Sequence, residues 1–251
     1  MTFEGMLISA AREIKDGEII FAGFQWPLLA AIFAKMTHAK NAILAFEGGI
    51  IKDDLPERFP SSTTDSVLFP ALLSGGTVDT MGMLQAGHID IGMLNASTVD
   101  RFGNINTSFV GGRKTPKVRL AGGGGAPDIA CLAKRHVILL DGHEGRRLPE
   151  KVDFITSPGY ITGRDAREKI GLRGGPSALI TPLCVFRFDK NGEAYLDTLH
   201  GGASVKEVRE RTGWKLKVAK NIKMAKKPSE RELRILRNLI DEAGGFYNIP
   251  E

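Results

Sequence analysis

Two short stretches carry residue types suited to chemistry. The run Ala42-Ile43-Leu44-Ala45-Phe46 is continuous and apolar, and it ends abruptly in Glu47 followed by Gly48 and Gly49. A carboxylate there is a reactive group at the end of a buried strand if a substrate reaches it, and an ordinary solvated loop residue if none does. Farther along, Lys117-Val118-Arg119-Leu120-Ala121 runs into four consecutive glycines, Gly122 to Gly125, and then into Ala126-Pro127-Asp128-Ile129-Ala130. Each glycine costs about 1 kcal/mol of chain entropy relative to alanine, so plain linkage explains four of them poorly. Their chemical use is to bring backbone N–H groups up to a ligand oxygen at the start of a helix; their structural use is a tight turn. The loop is not a dinucleotide fingerprint, because Pro127 or Asp128, depending on register, stands where the third glycine belongs, and it lacks the Gly-Lys-Ser/Thr of a P-loop. Cys131 and Cys184 lie in apolar surroundings with no Cys-x-x-Cys or Cys/His spacing, which points to core packing and to no metal site.

The elements that must position these stretches follow from periodicity. Leu7, Ile8, Ala11 and Ile14 recur at helical spacing, Asp16-Gly17 stops that helix, and Glu18 to Ala22 reads as a strand. Gly23 to Trp26 makes a turn, Pro27 suits a first helical position, and Leu28, Leu29, Ile32, Phe33 and Met36 form an apolar helix face leading to the strand that ends at Glu47. This α-β-α-β order predicts a mostly parallel sheet with helices packed on its faces, which keeps ligands at the carboxyl ends of its strands. Ile51 to Ser66 reads as a long excursion without periodicity. A helix from Thr77 stops at Gly87, strands follow over Ile89 to Leu94 and His136 to Leu140, and Asp100 to Asn106 is a tight turn between strands. The strand before the glycine loop is expected in the same sheet as the one that ends at Glu47. Thr181 to Phe188 and Glu193 to Leu199 form a hairpin around Asn191-Gly192, giving the sheet an antiparallel edge. Two helices close the chain, with capping boxes at Ser204/Glu207 and Ser229/Glu232.

Composition narrows the function classes. The 251 residues suit a single domain spanning 1–251, and 42% hydrophobic with 25% charged residues is ordinary for a water-soluble globular chain. Net charge is +5 from 34 basic and 29 acidic residues, which are interspersed apart from a basic cluster over Lys215 to Lys227. With 7% aromatics the chain lacks the basic stripe and stacking rings of a nucleic-acid binder. Glu4 and Arg12 interrupt what a secretion signal would need, and no apolar run approaches the roughly 18 residues of a membrane span. The expectation is a cytoplasmic protein.

Several segments taken together resemble the β subunit of family I CoA-transferases, and most of all its glutaconate-type members. They are Phe46-Glu47-Gly48-Gly49, Asp100 to Asn106, Gly122 to Ala130, Arg146-Arg147, Lys151 to Tyr160, Gly174-Gly175-Pro176 and Thr181-Pro182-Leu183. Their order over some two hundred residues is specific where each alone is weak. Two departures stand out: Gly48 replaces the family's usual serine, and Pro182 stands where an aspartate is common. The resemblance implies a NagB/RpiA/CoA-transferase-like α/β fold and a double displacement with Glu47 as nucleophile. The carboxylate attacks an acyl-CoA to give a mixed anhydride, CoA thiolate converts it to a glutamyl-CoA thioester, and an incoming acid reverses the sequence. On this reading Gly123, Gly124 and Gly125 supply oxyanion donors, with Ala126 beside them at the CoA. Gln25, Trp26 and Gly48, with Phe24, are assigned to the substrate, and Arg146, Arg147 and Lys151 either meet CoA phosphates or are simply solvated. Asn104, Asn106 and Asp128 are read first as turn scaffolding. CoA enters as an acyl-CoA substrate, no metal is involved, and a homologous α subunit shares the active site in a heterodimer or α2β2 assembly. Two alternatives remain: a subunit that hydrolyses a ring carbon–carbon bond of a steroid-derived CoA thioester, whose relatives lack the glutamate, and a non-catalytic ligand-sensing or assembly subunit.

Overall fold

In the computed structural model, which describes residues 3–244, one ten-stranded sheet organises the chain. The first units follow the apolar periodicity: helix α1 (Phe3–Ala11), strand β1 (Ile19–Ala22), helix α2 (Trp26–Thr37) and strand β2 (Ile43–Ala45), with Pro27 in the first turn of α2. The chain then turns sharply at Glu47 and returns as β3 (Ile50–Lys52), antiparallel to β2. The predicted excursion from Ile51 therefore opens with a strand: Ile50, Ile51 and Lys52 are all buried, and three residues are too few to show a period. After the loop comes the two-residue edge strand β4 (Leu73–Ser74), and then α3 (Thr77–Ala86), which stops at Gly87 in the left-handed conformation, φ 81°.

Strand β5 (Ile91–Asn95) returns to the sheet and is followed by the short pairs β6 (Thr98–Val99) with β7 (Ile105–Asn106) and β8 (Phe109–Gly111) with β9 (Pro116–Arg119). These four strands lie outside the main sheet, so the strand before the glycine loop belongs to a separate two-stranded ribbon. Its residues are mostly exposed, as suits a ribbon standing off the core. Helix α4 (Ala126–Leu132) leads to β10 (Arg135–Leu139), and a short helix α5 (Ala166–Lys169) precedes β11 (Pro176–Ile180), β12 (Cys184–Phe188) and β13 (Ala194–Leu199). Helix α6 (Val205–Glu210), strand β14 (Lys217–Met224) and helix α7 (Glu230–Gly244) complete the described chain, with Ser204 accepting from the Glu207 N–H at the start of α6. The basic cluster of the sequence is thus the edge strand β14. Lys217 reaches Asp189 and Glu193, Lys223 reaches Asp197, and lysines along an open edge disfavour strand addition.

The strand order is β14-β13-β12-β11-β10-β5-β1-β2-β3-β4. The central strands β11, β10, β5, β1 and β2 are parallel, and antiparallel pairs flank them on both sides, where the sequence indicated one such edge. One buried face packs against α1, α2 and α7 through residues such as Leu7, Leu29, Phe33 and Leu236, and the other against α3, α4 and α6 through Leu84, Ile129 and Val208. From β1 the chain moves to β2 on one side and later to β5 on the other. The carboxyl ends of these strands therefore diverge around a crevice, the place where open α/β sheets bind ligands.

Candidate active site

Glu47 sits in the turn that joins β2 to β3. The Phe46 N–H donates to Ile50 O at 2.9 Å and the Gly49 N–H to Phe46 O at 3.0 Å, closing a tight turn with Glu47 and Gly48 at its corner. Gly49 holds φ 101°, and a Cβ there would run into Gly75 O. The Gly75 N–H donates to Gly49 O at 2.9 Å, so the start of α3 is laced directly to this turn. The apolar run needs the sheet, the glycines need the close approach, and together they leave the Glu47 side chain half-buried at a strand's carboxyl end.

The glycine loop reaches the same place from the ribbon. The Gly122 N–H donates to Thr107 O at 2.7 Å and the Leu120 N–H to Ser108 O at 3.0 Å, so the ladder of β8 and β9 continues up to the loop. Thr156 fixes the base: its Oγ1 accepts from the Thr107 N–H at 3.0 Å and pairs with Ser108 Oγ at 2.7 Å. Gly125 then meets Glu47. A Cβ built on Gly125 would stand 3.0 Å from Glu47 Oε2, 3.1 Å from its Cδ and 2.8 Å from Met81 Cε, so a glycine is what lets the carboxylate lie against the loop. Among the described residues the N–H groups of Gly123, Gly124 and Gly125 have no acceptor, whereas the Ala126 N–H is already spent on Gly123 O at 3.0 Å.

Around this pair lies a cavity of about 410 Å³, lined by Glu47, Gly122 to Ala126, Phe24, Gln25, Trp26, Asn95, Thr107, Asp141 and Arg147, among others. Its walls come from the ends of β1, β2, β5 and β10. Glu47 also borders a second hollow of about 360 Å³, formed by Phe21 to Phe24, Ser61 to Thr63 and Ile129. The carboxylate thus stands between two open spaces.

Gln25 and Trp26 are brought to Glu47, with the Trp26 Nε1–H donating to Asp141 Oδ2 at 3.3 Å. Gly48 does not line the larger cavity. A Cβ on it would stand 2.5 Å from Thr64 Cγ2 and 2.6 Å from Thr63 O, so the loop over residues 58–67 lies where the family's serine would project. Asp65 anchors that loop by accepting from Arg58, Ser61 and Val67, and these bonds hold its carboxyl well below the usual carboxylate range. Arg146 and Lys151 are exposed and away from the cavity, and Arg147 alone of the three basic candidates lines it. Asn104 and Asn106 are scaffolding: the first bonds to Asp100, Gly159 and Ile161, the second to Ser108 and Phe109. Asp128 is exposed on α4.

Sequence reasoning missed Asn95, Thr107 and Asp141. Only the strand end at Asn95 gave any signal, because a polar residue terminating a buried parallel strand is placed as Glu47 is. Among the described residues no group of three His, Cys, Asp or Glu side chains is placed to hold a metal ion, and no helix is long and apolar enough to cross a membrane.

The coenzyme A transferase family model matches residues 5–211. The chain is 40% identical over 245 residues to the β subunit of 3-oxoadipate CoA-transferase of Pseudomonas knackmussii, covering 95% of this chain and 92% of that one. It is 30% identical over 257 residues to the β subunit of glutaconate CoA-transferase of Acidaminococcus fermentans, covering 98% and 95%. The crystal structure of glutaconate CoA-transferase from the same organism superposes with a TM-score of 0.89 at 29% identity, over 98% of this chain and 97% of that one.

Proposed function

On the premise that the chain belongs to the coenzyme A transferase family, as one of its β subunits, we propose that it moves CoA between an acyl-CoA and a free carboxylic acid through a glutamyl-CoA thioester on Glu47. The observation that carries this reading is the contact between the Glu47 carboxylate and Gly125, at the head of a loop whose N–H groups lack acceptors. A thioester carbonyl brought to Glu47 is attacked by one carboxylate oxygen. The oxyanion that forms then lies within reach of the Gly123 to Gly125 N–H groups, whose fixed dipoles need no reorganisation as charge develops. Collapse expels CoA thiolate and leaves a mixed anhydride. Thiolate attack on the glutamyl carbonyl releases the first acid and forms the enzyme thioester, and an incoming carboxylate reverses both steps. The thioester bond energy passes from acyl group to enzyme to acyl group without hydrolysis.

Two hollows beside Glu47 suit this chemistry, because a reacting thioester has two arms, the acyl chain and the pantetheine. The two relatives, each one subunit of a CoA-transferase, support a homologous α subunit as partner, one that completes the open side of the cavity. We read the chain as one cytoplasmic domain of that complex, built on the one sheet. Ring-opening hydrolysis and a purely sensing role both leave the carboxylate against Gly125 without a use. The complex is tested by offering it an acyl-CoA and scoring a hydroxylamine-sensitive CoA adduct. If turnover proceeds without an acceptor acid, or Glu47→Ala keeps full activity, the transferase reading fails.

A further inference from the structure

Away from Glu47, Ser9 of α1 meets His200, which follows the end of β13. Ser9 Oγ and His200 Nε2 are 2.9 Å apart, and His200 Nδ1 lies 3.1 Å from Pro182 O. A carbonyl oxygen can only accept, so the ring proton sits on Nδ1 and the Nε2 lone pair takes the Ser9 hydroxyl proton. The ring is 1% exposed, and burial holds it below the usual histidine pKa, so it is neutral at pH 7 and free to accept a proton. A serine inside a helix can turn its hydroxyl back to the carbonyl four residues earlier; Ser9 reaches His200 instead. Both side chains border a cavity of about 280 Å³ bounded by Ile8 and Arg12 of α1, Gly201, and residues 225–228 between β14 and α7. Its apolar lining comes from Ile8, Ala225 and Pro228, and its charged residues, Arg12, Lys226 and Lys227, are all basic. Arg12 is fixed by Glu232 at 3.0 Å and by Lys226 O at 2.6 Å, whereas the two lysines are exposed and make no ion pair among the described residues. The Gly201 N–H has no acceptor among the described residues.

We propose that Ser9 and His200 form a second catalytic site, separate from that of Glu47, which hydrolyses thioesters and other activated esters of short apolar acids. A nucleophile, a base within hydrogen-bond distance and a third group that orients the base make up the acyl-transfer arrangement found on unrelated folds. Ser9 Oγ attacks the acyl carbonyl while its proton passes to His200 Nε2, and the tetrahedral oxyanion takes the Gly201 N–H. Collapse expels the leaving group, which carries off the proton from Nε2, and leaves an ester on Ser9. Water attacks that ester and gives its proton to Nε2; collapse returns the proton to Ser9 Oγ and frees the acid. Pro182 O fixes the tautomer but brings no counter-charge for the imidazolium. The site therefore needs a group that departs readily, which favours thioesters and aryl esters over alkyl esters and amides. Arg12, Lys226 and Lys227 at the cavity favour a leaving group that carries negative charge. Glu47 takes no part in this chemistry, so it stands or falls apart from the transferase reading.

The test uses the chain purified with its partner subunit, an alkyl fluorophosphonate as covalent probe and 4-nitrophenyl butyrate as substrate. The probe is expected to add once and to map by peptide mass to Ser9. Ser9→Ala removes the label and lowers kcat/KM for the ester by about 10²-fold or more, with the melting temperature nearly unchanged because alanine suits a helix. His200→Gln slows labelling by about 10²-fold. Ser9→Cys keeps a nucleophile in the same place and is acylated there by the ester. A label that falls elsewhere, no label on the unaltered complex, or ester hydrolysis that persists in Ser9→Ala overturns the proposal. A pair that only ties α1 to the turn at Pro182 gives the reverse pattern, with no label and a lower melting temperature in Ser9→Ala. CoA loading onto Glu47 is scored separately, and its failure bears on the transferase reading alone.

Discussion

Gly125→Ala isolates the contact on which the proposed mechanism depends. The backbone at Gly125 has φ −78°, ψ −1°, an ordinary helical conformation, so alanine meets no conformational strain there. Gly→Ala at a compatible site stabilises by about 0.4–1 kcal/mol through the unfolded chain, and local crowding takes back a similar amount, leaving net stability within about 1 kcal/mol of the parent. The damage is local. The new methyl carbon stands 2.8 Å from Met81 Cε, the free end of a flexible side chain that swings away, and 3.0 Å from Glu47 Oε2, so the carboxylate is pushed off the loop by a few tenths of an ångström or turned to another rotamer. A nucleophile displaced by this much costs about 10²-fold in comparable sites, equivalent to about 2.7 kcal/mol of barrier, and the Gly125 N–H itself is retained in the alanine variant. The rate of CoA loading onto Glu47, followed by intact mass after rapid quenching, is therefore expected to fall about 10²-fold with the melting temperature nearly unchanged. Gly17→Ala gives the opposite pattern: φ 82° with nothing within 4 Å costs about 1 kcal/mol of stability and leaves loading intact. A Gly125→Ala complex that loads CoA at the parental rate refutes the reasoning, as does one whose loss tracks global unfolding.

Other outcomes follow from the same geometry. Gly48→Ser, which installs the family's usual residue, drives its Cβ into Thr63 O and Thr64 Cγ2, and urea denaturation should show about 1–3 kcal/mol lost, with faster proteolytic nicking in residues 58–67. His136 and His143 are buried and held neutral, burial pushing them down from 6.5 to about 3 and about 4, so the unfolded chain binds more protons than the folded one below pH 6.5. Stability contributed by the neutral rings is full above about pH 6.5 and is lost as pH falls toward those folded values, at about 1.4 kcal/mol per pH unit per histidine. Unfolding free energies from urea titrations at pH 7 and pH 5 should therefore differ by about 4 kcal/mol from these two residues, and His136→Leu should remove about half of that difference.

Much of the fold was legible because its signals are local and redundant. The helix before β1, Pro27 in the first turn of α2, Gly87 ending α3 and the Ser204 cap each have one physical cause confined to a few residues. Strands β3 and β14 were not legible for opposite reasons. Ile50 to Lys52 is too short for a period and hides a lysine with 2% exposure, its Nζ donating to Pro70 O at 2.8 Å. Lys217 to Met224 is an exposed edge whose lysines mask its pairing with β13. The placement of the glycine loop on a separate ribbon depends on tertiary packing of Thr107, Ser108 and Thr156, which no window of sequence contains. For the site, Glu47 and the loop stood out as costly or ill-suited to their local setting. Asp141 and the twist at Gln25 became visible only where strand ends meet, whereas Asn95 had the weak signal of a polar residue ending a buried strand.

The central claim is that Glu47 carries CoA. The chain and its partner subunit, incubated with an acyl-CoA in the absence of acceptor, are expected to gain one CoA in thioester linkage, released by hydroxylamine, mapped by peptide mass to Glu47 and absent in Glu47→Gln. Turnover of acyl-CoA with no adduct, or an adduct that persists in Glu47→Gln, would contradict it.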